Sequence, residues 1–98
     1  MKADATELLE KLKHESKPFL EFFRKGNLSL EIYKPEKIDL QNPHEQDEVY
    51  IIVAGTGYFQ NGDESYPFKT GDLIFVPAHK PHRFYDFSED FSTWVIFV

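Results

Sequence analysis

The chain has 98 residues, 41% of them hydrophobic and 16% aromatic, with no cysteine and a formal net charge of -6. This length fits one domain with one core, the composition excludes a disordered chain, and the negative charge argues against a nucleic-acid partner, which needs a face rich in lysine and arginine. No apolar run is long enough to cross a membrane and the first residues do not resemble a signal peptide, so we expect a soluble, cytoplasmic protein with no membrane partner.

The N-terminal segment predicts a single amphipathic helix. Asp4 and Glu7 have the spacing of a capping box, with aspartate in place of the more usual serine or threonine. An apolar stripe follows at Ala5, Leu8, Leu9 and Leu12. Proline disfavours a helical conformation of the residue before it, so the helix should end before Pro18. We therefore divide the chain into an N-terminal helix, residues 1–17, and a β-domain, residues 18–98.

The rest of the sequence predicts short β-strands separated by turn residues. Aromatic and β-branched segments lie at Phe19 to Arg24, Leu28 to Tyr33, Val49 to Val53, Tyr58 to Gln60, Leu73 to Val76, His82 to Phe87 and Ser92 to Val98. Asn61-Gly62 predicts a tight hairpin turn, because both central positions of a type I′ turn need a positive φ. Strands this short and closely spaced predict an all-β fold, an antiparallel sandwich or barrel.

Polar residues that can bind a metal ion are concentrated between Asn42 and Ala54. If this segment is extended, alternate residues share a face, and one face holds Asn42, His44, Gln46, Glu48, Tyr50 and Ile52. That face runs from polar into apolar residues, as expected for a barrel interior. The opposite face is apolar beyond Asp47, so we expect the N-terminal helix, the strand near Phe19 or a partner subunit to cover it.

A later strand adds a second histidine, His82. Two imidazoles and one carboxylate, here His44, His82 and Glu48, suit a divalent first-row metal and leave positions open for water, substrate or dioxygen. One glutamate against a dication leaves about one net positive charge, which favours an anionic chelating ligand such as a carboxylate or an enolate. By spacing alone, however, such residues are more often surface or hydrogen-bonded core residues.

Two segments resemble the paired motifs of the cupin superfamily. In the first, His44 lies four residues before Glu48, and six residues separate Glu48 from Gly55. In the second, five residues separate Gly71 from Pro77, and a histidine and then an aspartate follow at His82 and Asp86. The resemblance is closest to small single-domain cupins of largely unassigned function. It implies an antiparallel double-stranded β-helix, the jelly-roll cupin barrel, often dimeric and with a metal ion inside.

The resemblance also implies a ligand set. Carried over position by position, His44, Glu48 and His82 would bind a divalent ion of Fe, Mn, Ni, Co or Zn. The first histidine of the first motif falls at Asn42, so the usual third imidazole is missing. Gln46, on the same predicted face, is a candidate to replace it or to orient a bound water. Two further motif positions are expected to be structural, namely His79 in a solvated turn and Asp86 at a strand end.

Aromatic side chains predict the wall of a pocket for a small-molecule ligand. Phe75 and Phe84 lie in the motif strands, and we place both in the pocket together with Asn42. Tyr50 is the candidate catalytic residue, because a buried phenol needs a hydrogen-bond partner and can exchange a proton near the metal.

Three classes of function remain open at this point. The first is an enzyme, a metal-dependent oxygenase or isomerase acting on a small carboxylate or carbonyl compound. The second is a module that binds or senses a ligand without turnover, and the third is a metal-free structural barrel. A homodimer is expected in each case, because a second subunit is a natural source of stability for a domain of this size.

Overall fold

The computed structural model describes residues 1–39 and 42–98. Within these ranges it has one helix and eight strands: α1 Ala5–Leu12, β1 Phe19–Lys25, β2 Leu28–Tyr33, β3 Glu48–Ala54, β4 Thr56–Asn61, β5 Glu64–Lys69, β6 Leu73–Val76, β7 His82–Tyr85 and β8 Ser92–Phe97. The strands form a five-stranded sheet in the order β1-β2-β8-β3-β6 and a three-stranded sheet in the order β5-β4-β7. All strand pairs are antiparallel. The predicted all-β jelly roll with one short N-terminal helix is confirmed.

Helix α1 begins and ends as its sequence predicts. The Asp4 side chain accepts a hydrogen bond from the Glu7 amide at 3.1 Å, and the helix ends at Leu12, well before Pro18. Its buried side chains pack with Ile32 on the outer face of the five-stranded sheet. The sequence predicted that the N-terminal helix, the strand near Phe19 or a partner subunit would cover this face, and α1 covers part of it. Among the described residues, no helix has the length and apolarity that crossing a bilayer requires.

Alternation along β3 is confirmed, but the strand is shorter than predicted. Glu48, Tyr50 and Ile52 are buried between the sheets, whereas the residues between them are only partly buried. The strand begins at Glu48, and the chain bends at residues 45–46 instead of continuing the strand back to Asn42. The residues before Glu48 therefore reach the site from a loop, and the alternation rule does not assign their faces.

The hairpin between β4 and β5 differs from the prediction by one position. Asn61 pairs with Glu64, so Gly62 and Asp63 form the turn. Of these two, only Gly62 has a positive φ, 63°, which matches a two-residue turn with glycine at the first central position. Strand β5 is absent from the sequence prediction, because Pro67 interrupts the pattern and the charged residues Glu64 and Lys69 lie at its two ends. Proline is tolerated here since β5 is an edge strand.

Aromatic rings fill one end of the space between the sheets. The Phe84 ring centroid lies 4.6 Å from those of Phe59 and Phe91 and 4.8 Å from that of Tyr50. All four side chains are at most 1% exposed. The ring centroids of Tyr50 and Phe59 each lie 6.1 Å from that of His82. The packed rings therefore lie next to the polar side chains near the N-terminus of β3.

Candidate metal centre

Three side chains that the sequence predicts as ligands meet at one end of the barrel. His82 Nε2 lies 2.8 Å from Glu48 Oε1, and His44 Nε2 lies 3.8 Å from the same oxygen. One ligand atom from each residue can be chosen so that all three lie within 4.8 Å of one another. Glu48 begins β3 in the larger sheet and His82 begins β7 in the smaller one, so the group joins the two sheets.

The donor atoms of this group are buried without hydrogen bonds. Both carboxylate oxygens of Glu48 and Nε2 of His82 have no hydrogen-bond partner. The 2.8 Å contact between them is close enough for an ion pair but lacks the alignment of a hydrogen bond. A buried carboxylate without hydrogen bonds is costly, since it has lost its hydration. A dication bound between these atoms would compensate for the lost hydration. Two imidazoles and one carboxylate are a donor set that suits a divalent metal ion.

The backbone fixes the orientation of the His82 ring. Nδ1 lies 2.8 Å from the Lys80 carbonyl oxygen, and only a protonated Nδ1 can donate to that oxygen. In the neutral ring this leaves the lone pair on Nε2, which faces Glu48. A carbonyl on the far nitrogen is a common support for metal-binding histidines. The tautomer is therefore the one that metal binding at Nε2 requires.

The charge around His82 favours its protonated form. Burial lowers the pKa of His82, but the Glu48 carboxylate, the hydrogen bond to the Lys80 carbonyl and the charge of Asp39 together raise this pKa above its ordinary value of 6.5. The added proton occupies the nitrogen that a metal would use. A metal ion and a proton therefore compete for Nε2 near neutral pH.

His44 is held in place by contacts of its loop. Its carbonyl oxygen accepts a hydrogen bond from the His79 amide at 2.7 Å, and the Ala78 amide donates to Asp47 Oδ1 at 2.8 Å. The His44 ring makes an edge contact with Phe97, with 4.9 Å between centroids. The loop before β3 is thus tied to the loop before β7. His79 itself is exposed with a φ of 68°, as its predicted position in a solvated turn implies.

The two remaining ligand candidates are placed differently. The Gln46 side-chain amide donates to the Asn27 carbonyl at 2.6 Å, so it ties the loop to the turn between β1 and β2. Asn42 is exposed, because the chain bends after it and does not continue β3. The structure does not bring Asn42 into the pocket, and ligation by Gln46 stays a prediction.

The predicted pocket aromatics divide into two groups. Tyr50 and Phe84 lie inside the barrel, and the Tyr50 ring centroid is 6.1 Å from that of His82. Phe75 does not line the interior, which corrects the sequence-based placement. It is 51% exposed, because β6 turns Ile74 and Val76 inward and leaves Phe75 on the outer face.

A large open cleft leads to this group. Its volume is about 1440 Å³, and His44 lies on its wall together with the inward-facing side of β2. The side chain of His44 is 33% exposed, whereas that of Glu48 is only 1% exposed. A small molecule would therefore approach the three donors from the side of His44.

Sequence reasoning missed one acidic residue in this cleft, Glu31. Burial raises its pKa from 4.5 to about 7, and the negative charges of Glu21 and Glu48 add to this effect against the opposing charges of Lys17 and Arg24. The available signal was the alternation in β2, where polar and apolar residues interchange.

The fold and the three donor residues define a small cupin. The family model for the Cupin domain matches residues 29–97, which span β2 to β8 apart from Leu28. The chain therefore belongs to the cupin family. An uncharacterized protein of Streptomyces coelicolor is 37% identical over 81 residues, and the match covers 81% of this chain and 77% of that protein.

A second relative is a named enzyme of greater length. The acireductone dioxygenase of Leishmania infantum is 37% identical over 98 residues, and the match covers 92% of this chain. The chain spans only 28% of that enzyme. The match thus relates this chain to one part of a longer protein.

Solved structures share the fold at low sequence identity. A protein of Neisseria meningitidis has a TM-score of 0.79 at 22% identity, and the match covers 100% of this chain and 99% of that one. A cupin superfamily protein of Desulfitobacterium hafniense has a TM-score of 0.69 at 16% identity, with 93% and 87% covered. These two likenesses concern the fold alone.

Proposed function

We propose that this protein is a metal-dependent cupin in which His44, Glu48 and His82 hold one divalent ion beside a small carboxylate or carbonyl ligand. The observation that carries this proposal is the group of buried donor atoms without hydrogen-bond partners, two on Glu48 and one on His82. With nitrogen and oxygen donors and no cysteine in the chain, Fe, Mn, Co, Ni and Zn are the candidate ions.

An oxygenase reaction is the first candidate for the chemistry. The Leishmania infantum relative carries the name acireductone dioxygenase, and three protein ligands leave coordination positions open. A bound ion would act as a Lewis acid on a carbonyl or carboxylate oxygen of the ligand. His44 faces the cleft from which the ligand enters, and the rings beneath the site exclude water from its inner side. Tyr50, next to His82, is the proposed acid/base residue.

A second candidate is binding or sensing without turnover. One feature favours it: the position of the usual third imidazole is occupied by Asn42, which is exposed. Such a site holds a metal and a ligand but lacks one of the family's ligands. Turnover of a carbonyl compound by the metal-loaded protein would decide for the enzyme, whereas stoichiometric binding without product would decide for the sensor.

The protein is also proposed to form a homodimer through the outer face of its larger sheet. Leu73 and Phe75 are 64% and 51% exposed on edge strand β6, directly opposite Ile51 and Val49 of β3. An apolar strip of this kind is unfavourable in water, and a second copy of the sheet would cover it.

Metal analysis tests the proposed function. Purified protein would be stripped with a chelator, offered each candidate ion and assayed by elemental mass spectrometry. We expect about one ion per chain for the native sequence and large losses for His82→Ala and Glu48→Gln. The matched control is His14→Ala, because His14 is an exposed histidine just after α1. Failure of the native protein to take up any of these ions would refute the proposal, as would equal uptake by His82→Ala.

A further inference from the structure

We propose that Glu31 is the ligand-positioning residue of this site, and that its carboxyl group binds the far end of a small molecule whose near end is held at His44, Glu48 and His82. The ligand class that follows is a compound with two oxygen-bearing ends, a dicarboxylate or an oxo acid. This inference rests on the proposed metal-dependent function.

The sheet register places Glu31 on the same inner face as Glu48. Glu31 pairs with Val95 of β8, and Val95 pairs with Tyr50 of β3, whose side chain is buried in the interior. Glu48 lies two residues before Tyr50 on that same face of β3. Adjacent strands are about 4.8 Å apart, so β2 and β3 are separated by about 10 Å across β8. A small diacid is of a suitable length to bridge two inward-facing side chains at that spacing.

The lining of the cleft gives independent support. Glu31 and His44 both lie on its wall, with Phe97 as an apolar residue shared between them. Phe97 pairs with both Ser29 of β2 and Glu48 of β3, so it lies on the strand between β2 and β3, and its ring contacts that of His44. The part of the wall that β8 contributes includes two apolar side chains, Val95 and Phe97. A ligand with two polar ends and a short carbon chain matches this pattern.

The charges facing Glu31 decide what its carboxyl can bind. Glu21 faces it from β1 and Glu48 from β3, while Lys17 and Arg24 provide opposing positive charge. Arg24 is engaged by Glu21 at 2.5 Å. His44 lines the same cleft, and β8 contributes only uncharged side chains to its wall.

Burial and the two carboxylates raise the pKa of Glu31 to about 7, so below about pH 7 the group mostly holds a proton that it can donate. A protonated carboxyl donates a hydrogen bond to a ligand carboxylate, whereas an ionised one repels it. A dication at the neighbouring site lowers the pKa of Glu31, since it cancels the charge of Glu48. An arriving ligand carboxylate raises this pKa again.

Binding of matched acids to the cobalt-loaded protein tests the inference. The absorption spectrum of Co²⁺ would report binding of malonate, succinate and glutarate against propionate, butyrate and valerate, the monoacids of equal carbon number. At about pH 6 we expect at least one diacid to bind about tenfold more tightly than its monoacid, which is the contribution of one hydrogen bond to a charged group. In Glu31→Ala we expect the ratio of the two affinities to fall about tenfold.

The pH dependence separates positioning from a merely structural role. In the native protein the diacid preference should fall between about pH 6 and pH 8, as Glu31 loses its proton. In Glu31→Gln, where an amide donates at every pH, the preference should persist across that range. Glu64→Gln is the matched control, because Glu64 is an exposed acid on β5. It should behave as the native protein does.

The outcomes distinguish this inference from the proposed function. If the native protein binds Co²⁺ but shows no diacid preference, or if Glu31→Ala keeps that preference, the role of Glu31 is refuted and the metal site stands. A preference in Glu31→Gln that falls with pH as in the native protein also refutes it. A native protein that takes up no Co²⁺ refutes both proposals.

Discussion

Replacing Glu31 by glutamine should change how the stability of the metal-free protein depends on pH. Burial in the cleft, together with the charges of Glu21 and Glu48, raises the pKa of Glu31 from 4.5 to about 7. Between these two pH values the folded protein holds a proton that the unfolded chain has released. The free energy of unfolding therefore decreases as pH rises from about 4.5 to about 7, and the contribution of Glu31 is constant outside that window.

The magnitude follows from the same two values. A pKa of about 7 against 4.5 corresponds to about 3 kcal/mol, at about 1.4 kcal/mol for each pH unit. Glu31 lines an open cleft and is only partly buried, so screening by solvent reduces this to roughly 1 to 2 kcal/mol. Glutamine has no charge to bury. Relative to the native protein, Glu31→Gln should therefore gain roughly 1 to 2 kcal/mol in stability between about pH 5 and about pH 8.

Urea unfolding provides the assay. Trp94, the single tryptophan of the chain, packs against Phe22 beside α1 and reports the transition by fluorescence. Both proteins would be unfolded with chelator present at several pH values, and the difference between their unfolding free energies plotted. The titration of His82 is common to both proteins and cancels in the difference. A difference that stays constant within about 0.5 kcal/mol would show that Glu31 carries no raised pKa, and Glu64→Gln should give such a constant result.

Three further predictions concern the metal, the barrel edge and the dimer. Because the pKa of His82 is raised, protons should displace the metal as pH falls into the acidic range. Equilibrium dialysis with elemental analysis checks this, and retention unchanged at about pH 4 would contradict ligation by histidine. Asp39→Asn should lower the free energy of unfolding by about 1 to 3 kcal/mol, as measured by thermal unfolding, because the buried carboxylate accepts hydrogen bonds from the Phe84 amide at 2.8 Å and the Tyr33 hydroxyl at 2.5 Å. An unchanged free energy of unfolding would mean that solvent replaces these contacts. Phe75→Glu should halve the mass measured by light scattering if the outer sheet face joins two copies, whereas an unchanged mass would exclude this face as the interface.

The elements that sequence reasoning placed correctly have a strong local signal. Glu48, Tyr50 and Ile52 alternate with partly buried residues along β3, and this two-residue period is enough to identify the inner face of the strand. The helix start is equally local, because the capping contact joins Asp4 to a residue three positions away. The position of His82 follows from its distance to Gly71 and Pro77 in the second motif.

The features that sequence reasoning missed or misplaced depend on contacts between residues that are distant in the sequence. Strand β5 contains Pro67, and only its position at a sheet edge makes that proline acceptable. Strand alternation correctly predicted that His44 lies near Glu48, but it assumed an extended strand. In the structure His44 reaches Glu48 through a bend that is held by hydrogen bonds from the His79 amide to the His44 carbonyl and from the Ala78 amide to Asp47. Glu31 was missed because alternating polar residues identify one face of a strand but do not indicate whether that face is in contact with solvent or lines a cleft.

The carboxylates around the site give one electrostatic reason for a cation. Glu48 is buried with both oxygens lacking hydrogen bonds, and Asp39 is buried close enough to raise the pKa of His82. Glu31 has its pKa raised partly by Glu48. Burial and neighbouring carboxylates favour the protonated form of Glu31, and neighbouring carboxylates favour that of His82. Protons lower the negative charge of the site when they bind Nε2 of His82 and the carboxyl group of Glu31. A dication bound at His44, Glu48 and His82 would lower it instead, because it takes the place of the proton on Nε2 of His82 and lowers the pKa of Glu31.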